Sequence, residues 1–524
     1  MKQISVTVSC GAMALCMLLV ACTDLTENPK SLITPSTYFN TPGEALAALA
    51  GVYAQMRGTA SEGDYWGISE VSTDEMVVPT RGQDWYDNGT WMELHHQSWS
   101  ATSPGTLSFM NNAWNTAFQG VARANVLIDA MASSTLPNAA EVTTEARGLR
   151  AFYYYVLMDL FGGVPLATTS EITPRPRETR DSIFKFVESE LLAIYPDLPA
   201  TWDAANNGRF TKGAADAILA NMYINAGIFT KDGVPGGISA TTYNSCAGII
   251  VAGGADACQA AVTHADALIN SPNYALSATY GANFTAANNT SKENIFAVKF
   301  AAATDLGFVM LQRTLHYNQF NPSPWNGFAT LASAYAQFDA ADERRKVFLV
   351  GPQVNVETNL PVNDRAGAPL VFTTTINNVN AATEGEGARI YKWPADPSHV
   401  AQNNGNDFAW FRLSEMYLIK AEAILDGATS AQTPLALVKA VRARAFPGGD
   451  TLSAVTLPVI LRERLFEFAA EGKRRQDLIR FGAYTLPWEF KTNPEGQDPK
   501  RVLMPIPQGQ IDVNPMITSN NPGY

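Results

Sequence analysis

The chain has 524 residues, of which 46% are hydrophobic and 16% charged, and its formal net charge is −12 at pH 7. This composition excludes a disordered chain, which would be poorer in apolar residues, and the length predicts about three domains or one large fold with insertions. A polytopic membrane protein is excluded because only the N-terminus has a long uncharged apolar run. The acidity argues against nucleic-acid binding, because phosphate contacts need clustered lysines and arginines.

The N-terminus has the pattern of a bacterial lipoprotein signal. Lys2 supplies a positive charge, and residues 12–20 form an apolar segment that is too short to span a bilayer. The segment runs into the sequence LVAC, which resembles a lipobox and ends at Cys22. We therefore expect residues 1–21 to be removed and Cys22 to carry lipid. An ordinary secretory signal with an incidental cysteine is the alternative.

The residues after Cys22 predict where the anchored protein resides. Several acyl chains on one cysteine give firm anchoring, because each buried methylene contributes about 0.8 kcal/mol. Asp24 and Glu27 resemble the acidic flank that directs Bacteroidetes lipoproteins to the cell surface. We expect the protein to be held in outer-membrane lipid through Cys22 and to face the cell exterior.

The remaining cysteines agree with export. Cys10 and Cys16 leave with the signal, so only Cys246 and Cys258 stay available for pairing. In an oxidising compartment such a local pair predicts a disulfide bond, and two free thiols are the alternative. We predict no metal site, because no other cysteine remains and the five histidines are scattered.

Helical periodicity dominates the mature chain. Thr41-Pro42-Gly43-Glu44 has the pattern of an N-cap, a proline at the first helical position and a glutamate that completes a capping box. Gly427 and Gly482 stand where helices are expected to end. Further helices are predicted over residues 109–131, 144–160, 180–195, 212–229, 257–270, 412–425, 434–445 and 457–481.

These helices form pairs. Ala217-x₃-Asn221-x-Tyr223-x₃-Gly227 resembles the first helix of a tetratricopeptide unit, and residues 257–270 resemble the second. Three further pairs are 42–57 with 109–131, 145–160 with 181–195, and 413–421 with 435–445. The prediction is a fold dominated by α-helices, with four tetratricopeptide-like pairs as its scaffold. Long irregular insertions over residues 58–104, 231–254, 281–326 and 350–407 are expected to carry the ligand site.

Several motifs along the chain resemble the SusD/RagB family of Bacteroidetes nutrient-uptake lipoproteins. They are LRAFYY from Leu149 leading to FGGVPL from Phe161, RFTKGAA from Arg209, FRLSEMYL from Phe411, ER-x-FEF from Glu463 with DLIR from Asp477, and PIP from Pro505 with the terminal NPGY. The motifs occur in the order of that family, and together with the lipobox they span essentially the whole mature chain.

The resemblance implies a non-catalytic protein built on four tetratricopeptide-like repeats. It implies a role as the lid of a SusC-type TonB-dependent outer-membrane transporter, to which captured oligosaccharide is delivered. A peptide-capturing scaffold, as in the RagB branch, is the alternative. We expect an N-terminal SusD-like region at 22–230, an insertion with a repeat-completing helix at 231–290 and a C-terminal RagB/SusD region at 291–524, together forming one compact unit.

Aromatic residues indicate the ligand site, because sugar rings stack on tryptophan and tyrosine while short polar groups bond their hydroxyls. Five of the ten tryptophans lie between residues 66 and 114. We expect Trp66, Trp99 and Trp114 to fill core and Trp85, Trp91 and Trp325 to be exposed. In the starch-binding member of the resembled family an aspartate, an arginine and aromatics hold the ligand, and the matching positions here are Asp74, Arg81, Trp85 or Trp91, and Tyr317 or Trp325.

Enzyme motifs are not found in the sequence, which has no nucleophile elbow, zinc-binding HExxH pair, phosphate-binding loop or dinucleotide fingerprint. We therefore expect no cofactor. Glu463, Glu467 and Glu471 follow a four-residue spacing, and paired carboxylates are the machinery of glycoside hydrolysis. The favoured interpretation is a ladder of ion pairs to Arg412 or Arg442. The same interpretation applies to Glu415 and Glu422.

Overall fold

A computed structural model describes residues 39–524, and helices dominate this part of the chain. The scaffold helices are α1 (Pro42–Ala54), α2 (Thr106–Ala132), α3 (Ala139–Phe161), α4 (Arg180–Ile194), α5 (Lys212–Ile224), α6 (Ala257–Ile269), α7 (Leu413–Leu425), α8 (Pro434–Arg442), α9 (Leu457–Phe468) and α10 (Arg474–Arg480). Shorter helices cover Met56–Thr59, Tyr65–Val71, Thr90–His95, Ala226–Phe229, Met310–Thr314, Ala332–Tyr335 and Gln508–Val513. The predicted fold class is confirmed.

Local capping signals set several helix ends. The Thr41 hydroxyl accepts a hydrogen bond from the Glu44 N–H, and the Glu44 carboxylate accepts one from the Thr41 N–H, so the predicted capping box is formed. Gly427 and Gly482 follow the ends of α7 and α10 with φ angles of 107° and 64°, the left-handed conformation that glycine tolerates best. These ends are confirmed as predicted.

The predicted helix over residues 457–481 is wrong in its middle, where the chain breaks between α9 and α10. The N–H of Ala470 donates to the buried Glu75 carboxylate at 2.6 Å, and the N–H of Gly472 donates to Glu70. Two carboxylates that are distant in sequence thus take backbone donors that a continuous helix would bond internally. The predicted helix over 212–229 is likewise interrupted, at Asn225.

The helices of each predicted pair lie against each other: α1 on α2, α3 on α4, α5 on α6 and α7 on α8. Successive pairs join through α2 with α3, α4 with α5 and α6 with α7, which is consistent with a tetratricopeptide-like stack. Close approach of α2 and α3 requires Gly120, because a Cβ there would lie 2.3 Å from the Tyr153 ring. The Tyr153 hydroxyl also donates to the Val52 carbonyl at 2.6 Å, which ties α3 to α1.

Short antiparallel strands connect distant parts of the chain. They are β1 (Met76–Val77), β2 (Asn294–Val298), β3 (Ala329–Thr330), β4 (Phe348–Leu349), β5 (Gly351–Pro352), β6 (Val371–Phe372), β7 (Ala388–Ile390) and β8 (Phe408–Arg412). One sheet has the order β1-β3-β7-β4, while β2 pairs with β8 and β5 with β6. Because β1 pairs with β3, the segment that follows residue 77 lies beside the segment that precedes residue 329.

The predicted insertion at 58–104 contains the short helices Tyr65–Val71 and Thr90–His95 between irregular segments, and much of it is buried. Trp66 and Trp99 are in the core, as expected, and so is Trp114 in α2. The indole of Trp66 donates to the Ala470 carbonyl at 2.7 Å, and that of Trp99 donates to the Tyr524 hydroxyl at 2.9 Å. Burial of large aromatic surface therefore outweighs the polar, turn-rich composition of this segment.

A buried network of ion pairs joins α9 to the rest of the C-terminal half. Arg412 pairs with Glu293, Glu467 and Glu471 at 2.6–2.8 Å. Further pairs in and beside this network join Arg344 to Glu463 and Glu467, Arg442 to Glu463, Arg444 to Glu293 and Glu467, Lys392 to Glu471, Arg464 and Lys473 to Glu415, and Arg480 to Glu422. The predicted ladder is confirmed, except that Glu471 follows the end of α9 rather than lying on its face.

Burial by itself raises the pKa of the Glu467 carboxyl, but Arg444, Arg412 and Arg344 together hold that pKa well below its usual range. The carboxylate is thus ionised and fully engaged. A carboxyl in this state cannot donate a proton at neutral pH, and it is sealed from solvent. The glutamates that raised the question of glycoside hydrolysis are structural.

Cys246 and Cys258, the pair that the sequence predicts to be oxidised, are joined by a disulfide bond in the structure. The bond closes the segment that leads into α6. The Asp426 carboxylate lies beside it and accepts a hydrogen bond from the Cys246 N–H at 3.0 Å, so the loop is fastened to the end of α7.

The predicted signal at 1–21 and the lipid-bearing Cys22 lie outside the described residues. Over residues 39–524, no helix combines the length and the apolar character that crossing a membrane requires.

Candidate functional site

Four of the six residues predicted to bind ligand line one groove of about 540 Å³, which we call the aromatic groove. It opens where the segment after β1 meets the segment before β3. Its lining consists of Glu62, Gly63, Asp84, Trp85, Asp87, Trp91, Phe109, Tyr317, Ser323, Pro324 and Trp325. Residues more than two hundred positions apart are thus brought together.

Trp85 joins the two sides of the groove. Its indole N–H donates to the Trp325 carbonyl at 2.5 Å, and its ring centroid lies 5.5 Å from that of Trp91 and 6.4 Å from that of Trp325. Gly327 makes room for the Trp85 ring, because a Cβ there would lie 2.5 Å from it. The backbone of Trp85 has a φ of 62°, an unusual conformation for a bulky residue that costs free energy and concentrates at functional sites.

Trp91 forms the floor of the groove and is only 4% exposed, so the expectation of an exposed side chain is wrong. It lies on the helix Thr90–His95 and packs against Phe109 and Phe328 with centroid distances of 5.0 and 5.1 Å. Its indole N–H donates to the Asp87 carboxylate at 2.6 Å. The ring contributes packing beneath Trp85 rather than an open stacking face.

Trp325 forms the exposed platform of the groove, with 42% of its surface accessible. The Arg313 guanidinium lies 3.8 Å from the centroid of its ring, and Arg313 is in turn held by Glu62 at 2.5 Å. A cation over one face of the indole fixes the ring without burying it. A preorganised, exposed aromatic ring is what binding of a sugar face requires.

Tyr317 stands on the rim beside a group of charged residues. Its hydroxyl donates to the Asp84 carboxylate at 2.5 Å, and the Arg365 guanidinium lies 4.0 Å from the centroid of its ring. Arg365 also forms ion pairs with Asp84, at 3.3 Å, and with Glu384. Burial, together with the Asp84 hydrogen bond and charge, raises the pKa of Tyr317, so its hydroxyl stays protonated and directed at Asp84.

The second carboxylate of the rim is charged over the whole physiological range. Although burial alone raises the pKa of Glu384, hydrogen bonds from the Arg365 N–H and from His316, together with the Arg365 side chain, lower it to about 2. Burial lowers the pKa of His316, so this imidazole is neutral at pH 7. Arg365 and Glu384 thus form a fixed charged pair next to Tyr317.

Asp74 and Arg81 do not reach the aromatic groove, so the structure contradicts their prediction as ligand residues. Asp74 forms a bidentate ion pair with Arg474 at 2.7 and 2.8 Å, which fastens the segment before β1 to α10. Arg81 is 2% exposed and its guanidinium donates to backbone carbonyls of Asn326, Gly327, Thr383 and Glu386. Burial lowers the pKa of Arg81 to about 10. Its role is to hold together the loops that carry Trp85 and Trp325.

Sequence reasoning missed the residues that support the groove from other segments. Arg313, Arg365 and Glu384 carry no motif, and the sequence holds many similar charged residues in loops. Their roles depend on which rings they meet in three dimensions. The sequence signal was the length of the insertions at 281–326 and 350–407, which marks segments with a function but no particular residue.

Two family models match the chain. Residues 329–524 match the model described as SusD family, and residues 45–224 match the model described as starch-binding associating with outer membrane. Among curated relatives, SusD-like protein P2 of Formosa agariphila is 23% identical over 97% of this chain and 98% of its own length. Starch-binding protein SusD of Bacteroides thetaiotaomicron is 24% identical over 87% of this chain and 84% of its own length.

Solved structures share the fold. A laminarin binding SusD-like protein superposes with a TM-score of 0.71 at 22% identity, covering 92% of this chain and all of that chain. Surface glycan-binding protein A from Bacteroides thetaiotaomicron, in complex with laminarihexaose, superposes with a TM-score of 0.69 at 20% identity, covering 92% and 99%. Family models, relatives and fold agree with the sequence motifs, and the chain belongs to the SusD/RagB family.

Proposed function

We propose that this chain is a non-catalytic lipoprotein of the cell surface that captures neutral glucan oligosaccharides in the aromatic groove and delivers them to a SusC-type TonB-dependent transporter. The observation that carries the proposal is the convergence of Trp85, Tyr317 and Trp325 on one open groove, with Trp91 as its floor. Neutral glucans are favoured because relatives are named for binding starch and laminarin.

The chemistry of the groove supports sugar binding. Trp325 offers a fixed ring face, and the carboxylates of Glu62, Asp84 and Asp87 lie around it as acceptors for sugar hydroxyls. Arg313 and Arg365 are each paired with a carboxylate, so neither is an isolated charge that would select an anionic ligand. In this proposal the acidic residues of the groove accept hydrogen bonds, and no catalytic step is assigned to them.

The first prediction concerns the ligand class. A soluble protein that begins after Cys22, applied to an array of glycans and peptides, should bind neutral glucans, with laminarin and starch fragments as the first candidates. Because the contacts are stacking and neutral hydrogen bonds, the signal should change little between low and physiological salt. Binding of peptides alone would contradict the proposal and favour the RagB-like alternative.

The second prediction concerns the anchor. Cells that express the full chain and are fed an alkyne-tagged palmitate should incorporate the label into this protein, because Cys22 is the lipid acceptor of the lipobox. The Cys22→Ala variant should incorporate none and should leave the membrane fraction. Equal labelling of both proteins would refute lipid attachment at this residue.

The third prediction concerns the partner. Affinity purification of the anchored protein from detergent-solubilised outer membranes should recover a TonB-dependent barrel in near-equal amounts. An unrelated lipoprotein with the same tag serves as the control. Consistent recovery of the protein alone would count against delivery to a transporter, while leaving glycan capture to be judged by the array.

A further inference from the structure

A second pocket, of about 320 Å³, lies apart from the aromatic groove and shares no lining residue with it. We call it the asparagine pocket after the side chains that line it: Asn207, Asn273, Asn288, Asn289 and Asn294. It forms where the loop between α4 and α5 meets the residues after α6 and the start of β2. Its volume falls in the range of sites that hold small ligands.

The wall of the asparagine pocket is built by a chain of hydrogen bonds. The Lys299 ammonium pairs with the Asp407 carboxylate and donates to the Asn207 side-chain oxygen at 3.1 Å. The Asn207 amide nitrogen then donates to the Asn289 carbonyl at 3.0 Å. Gly208 has a φ of 92°, a conformation that favours glycine, and a Cβ there would lie 2.6 Å from the Lys299 stem. The arrangement is specified by its residues rather than left by loose packing.

An aromatic ring completes the wall. Trp202 is half-buried, and its indole N–H donates to the Phe210 carbonyl at 3.0 Å. The Arg209 guanidinium lies 3.8 Å from the centroid of the ring, and Arg209 is itself held by Glu141 and Glu145. The aromatic groove uses the same device, in which Arg313 supports Trp325 and is held by Glu62. Tyr274 adds a phenol to the same wall.

Two of the three cations of this pocket are compensated within the protein. Lys299 is paired with Asp407 and Arg209 with two glutamates, whereas Lys292 is an exposed lysine on the lining. The pocket therefore offers a ligand amides, hydroxyls, an aromatic ring and one ammonium group. Amide groups both donate and accept, which suits the hydroxyls of a neutral sugar.

We propose that the asparagine pocket is a second carbohydrate-binding site, which takes one or two rings of a neutral glucan; the choice of glucan rests on the proposed function of the aromatic groove. A chain with two such sites holds a long polysaccharide at two points, which strengthens its capture without any new contact in the groove.

The experiment is calorimetric titration with laminarihexaose and with maltohexaose, using soluble protein and three variants. Trp325→Ala weakens the groove. Thr290→Tyr fills the asparagine pocket from an exposed position on its lining, and Trp202→Ala removes its ring. Thermal melts accompany each titration to show whether each variant is folded. If Trp202→Ala fails to fold, Thr290→Tyr carries the test.

Two binding events are expected for the unmodified protein with one of the two hexasaccharides. Thr290→Tyr should abolish the event at the asparagine pocket and leave the groove event with unchanged affinity. Trp325→Ala should weaken the groove event and leave the event at the asparagine pocket in place. Trp202→Ala, if folded, should lose at least tenfold in affinity at this pocket.

A single event that Trp325→Ala removes and Thr290→Tyr leaves intact would overturn the second site while the proposed function stands. An unmodified protein that binds neither hexasaccharide, and no neutral glucan on the array, would overturn both.

Discussion

Trp325→Ala should weaken glucan binding by roughly tenfold to a hundredfold, equivalent to about 1–3 kcal/mol, while leaving the melting temperature unchanged. Trp325 is the most exposed ring of the aromatic groove, and Arg313 already holds it in place. Its removal therefore costs ligand contact but almost no packing. Titration calorimetry beside thermal melts measures both quantities on the same samples.

Two further variants give this prediction its contrast. Tyr86→Ala is the matched control, because Tyr86 is 58% exposed next to Trp85 yet does not line the groove, so affinity and stability should stay unchanged. Trp91→Ala should lower the melting temperature, since emptying a buried tryptophan site costs about 3–5 kcal/mol. If Trp325→Ala binds as well as the unmodified protein, the ligand does not stack on this platform and the groove proposal fails.

Arg412→Leu should destabilise the fold by about 3–5 kcal/mol, because breaking a buried ion pair leaves uncompensated charge in the interior. Arg412 is 1% exposed and is the shared partner of Glu293, Glu467 and Glu471. Its loss takes one cation from each of these three carboxylates in the junction between β8, α7 and α9, and leaves Arg344, Arg444 and Lys392 as their remaining partners. Denaturant titration followed by circular dichroism measures the change.

A surface pair provides the comparison. Lys346 forms an ion pair with Glu343, but the Lys346 side chain is largely in solvent and Glu343 is partly exposed, so Lys346→Ala should leave the denaturation midpoint unchanged. If Arg412→Leu also leaves the midpoint unchanged, the buried network is not what holds the C-terminal half together. Glucan binding by folded Arg412→Leu should be normal, because none of these residues lines the groove.

The features that the sequence by itself determined are those that depend on residues close together along the chain. The capping box at Thr41 and the left-handed glycines at 427 and 482 involve residues within one helical turn, so their effect can be read locally. Helical periodicity likewise marks the buried face of α2, because the spacing of its apolar residues repeats with the turn of the helix. The pairing of Cys246 with Cys258 followed from elimination, since the other three cysteines are predicted to leave with the signal or to carry lipid.

Composition gave a wrong prediction where residues of polar segments are buried in the structure. The segment around Trp91 is polar and rich in turn residues, and both features predict exposure. In the structure Phe109 and Phe328 cover Trp91, and neither belongs to that segment. Asp74 and Arg81 have the residue types of a sugar site, but Arg474 engages Asp74 and five backbone carbonyls engage Arg81 instead.

Tertiary structure decided the site itself. Trp85 and Trp325 are 240 positions apart, and they meet because β1 pairs with β3 and because Arg81 binds the carbonyls of the loop that carries Trp325. The break between α9 and α10 has the same kind of cause, since Glu70 and Glu75 reach it from the other end of the chain. Each of these outcomes depends on a partner that lies far away in sequence, and periodicity or local spacing carries no information about such partners.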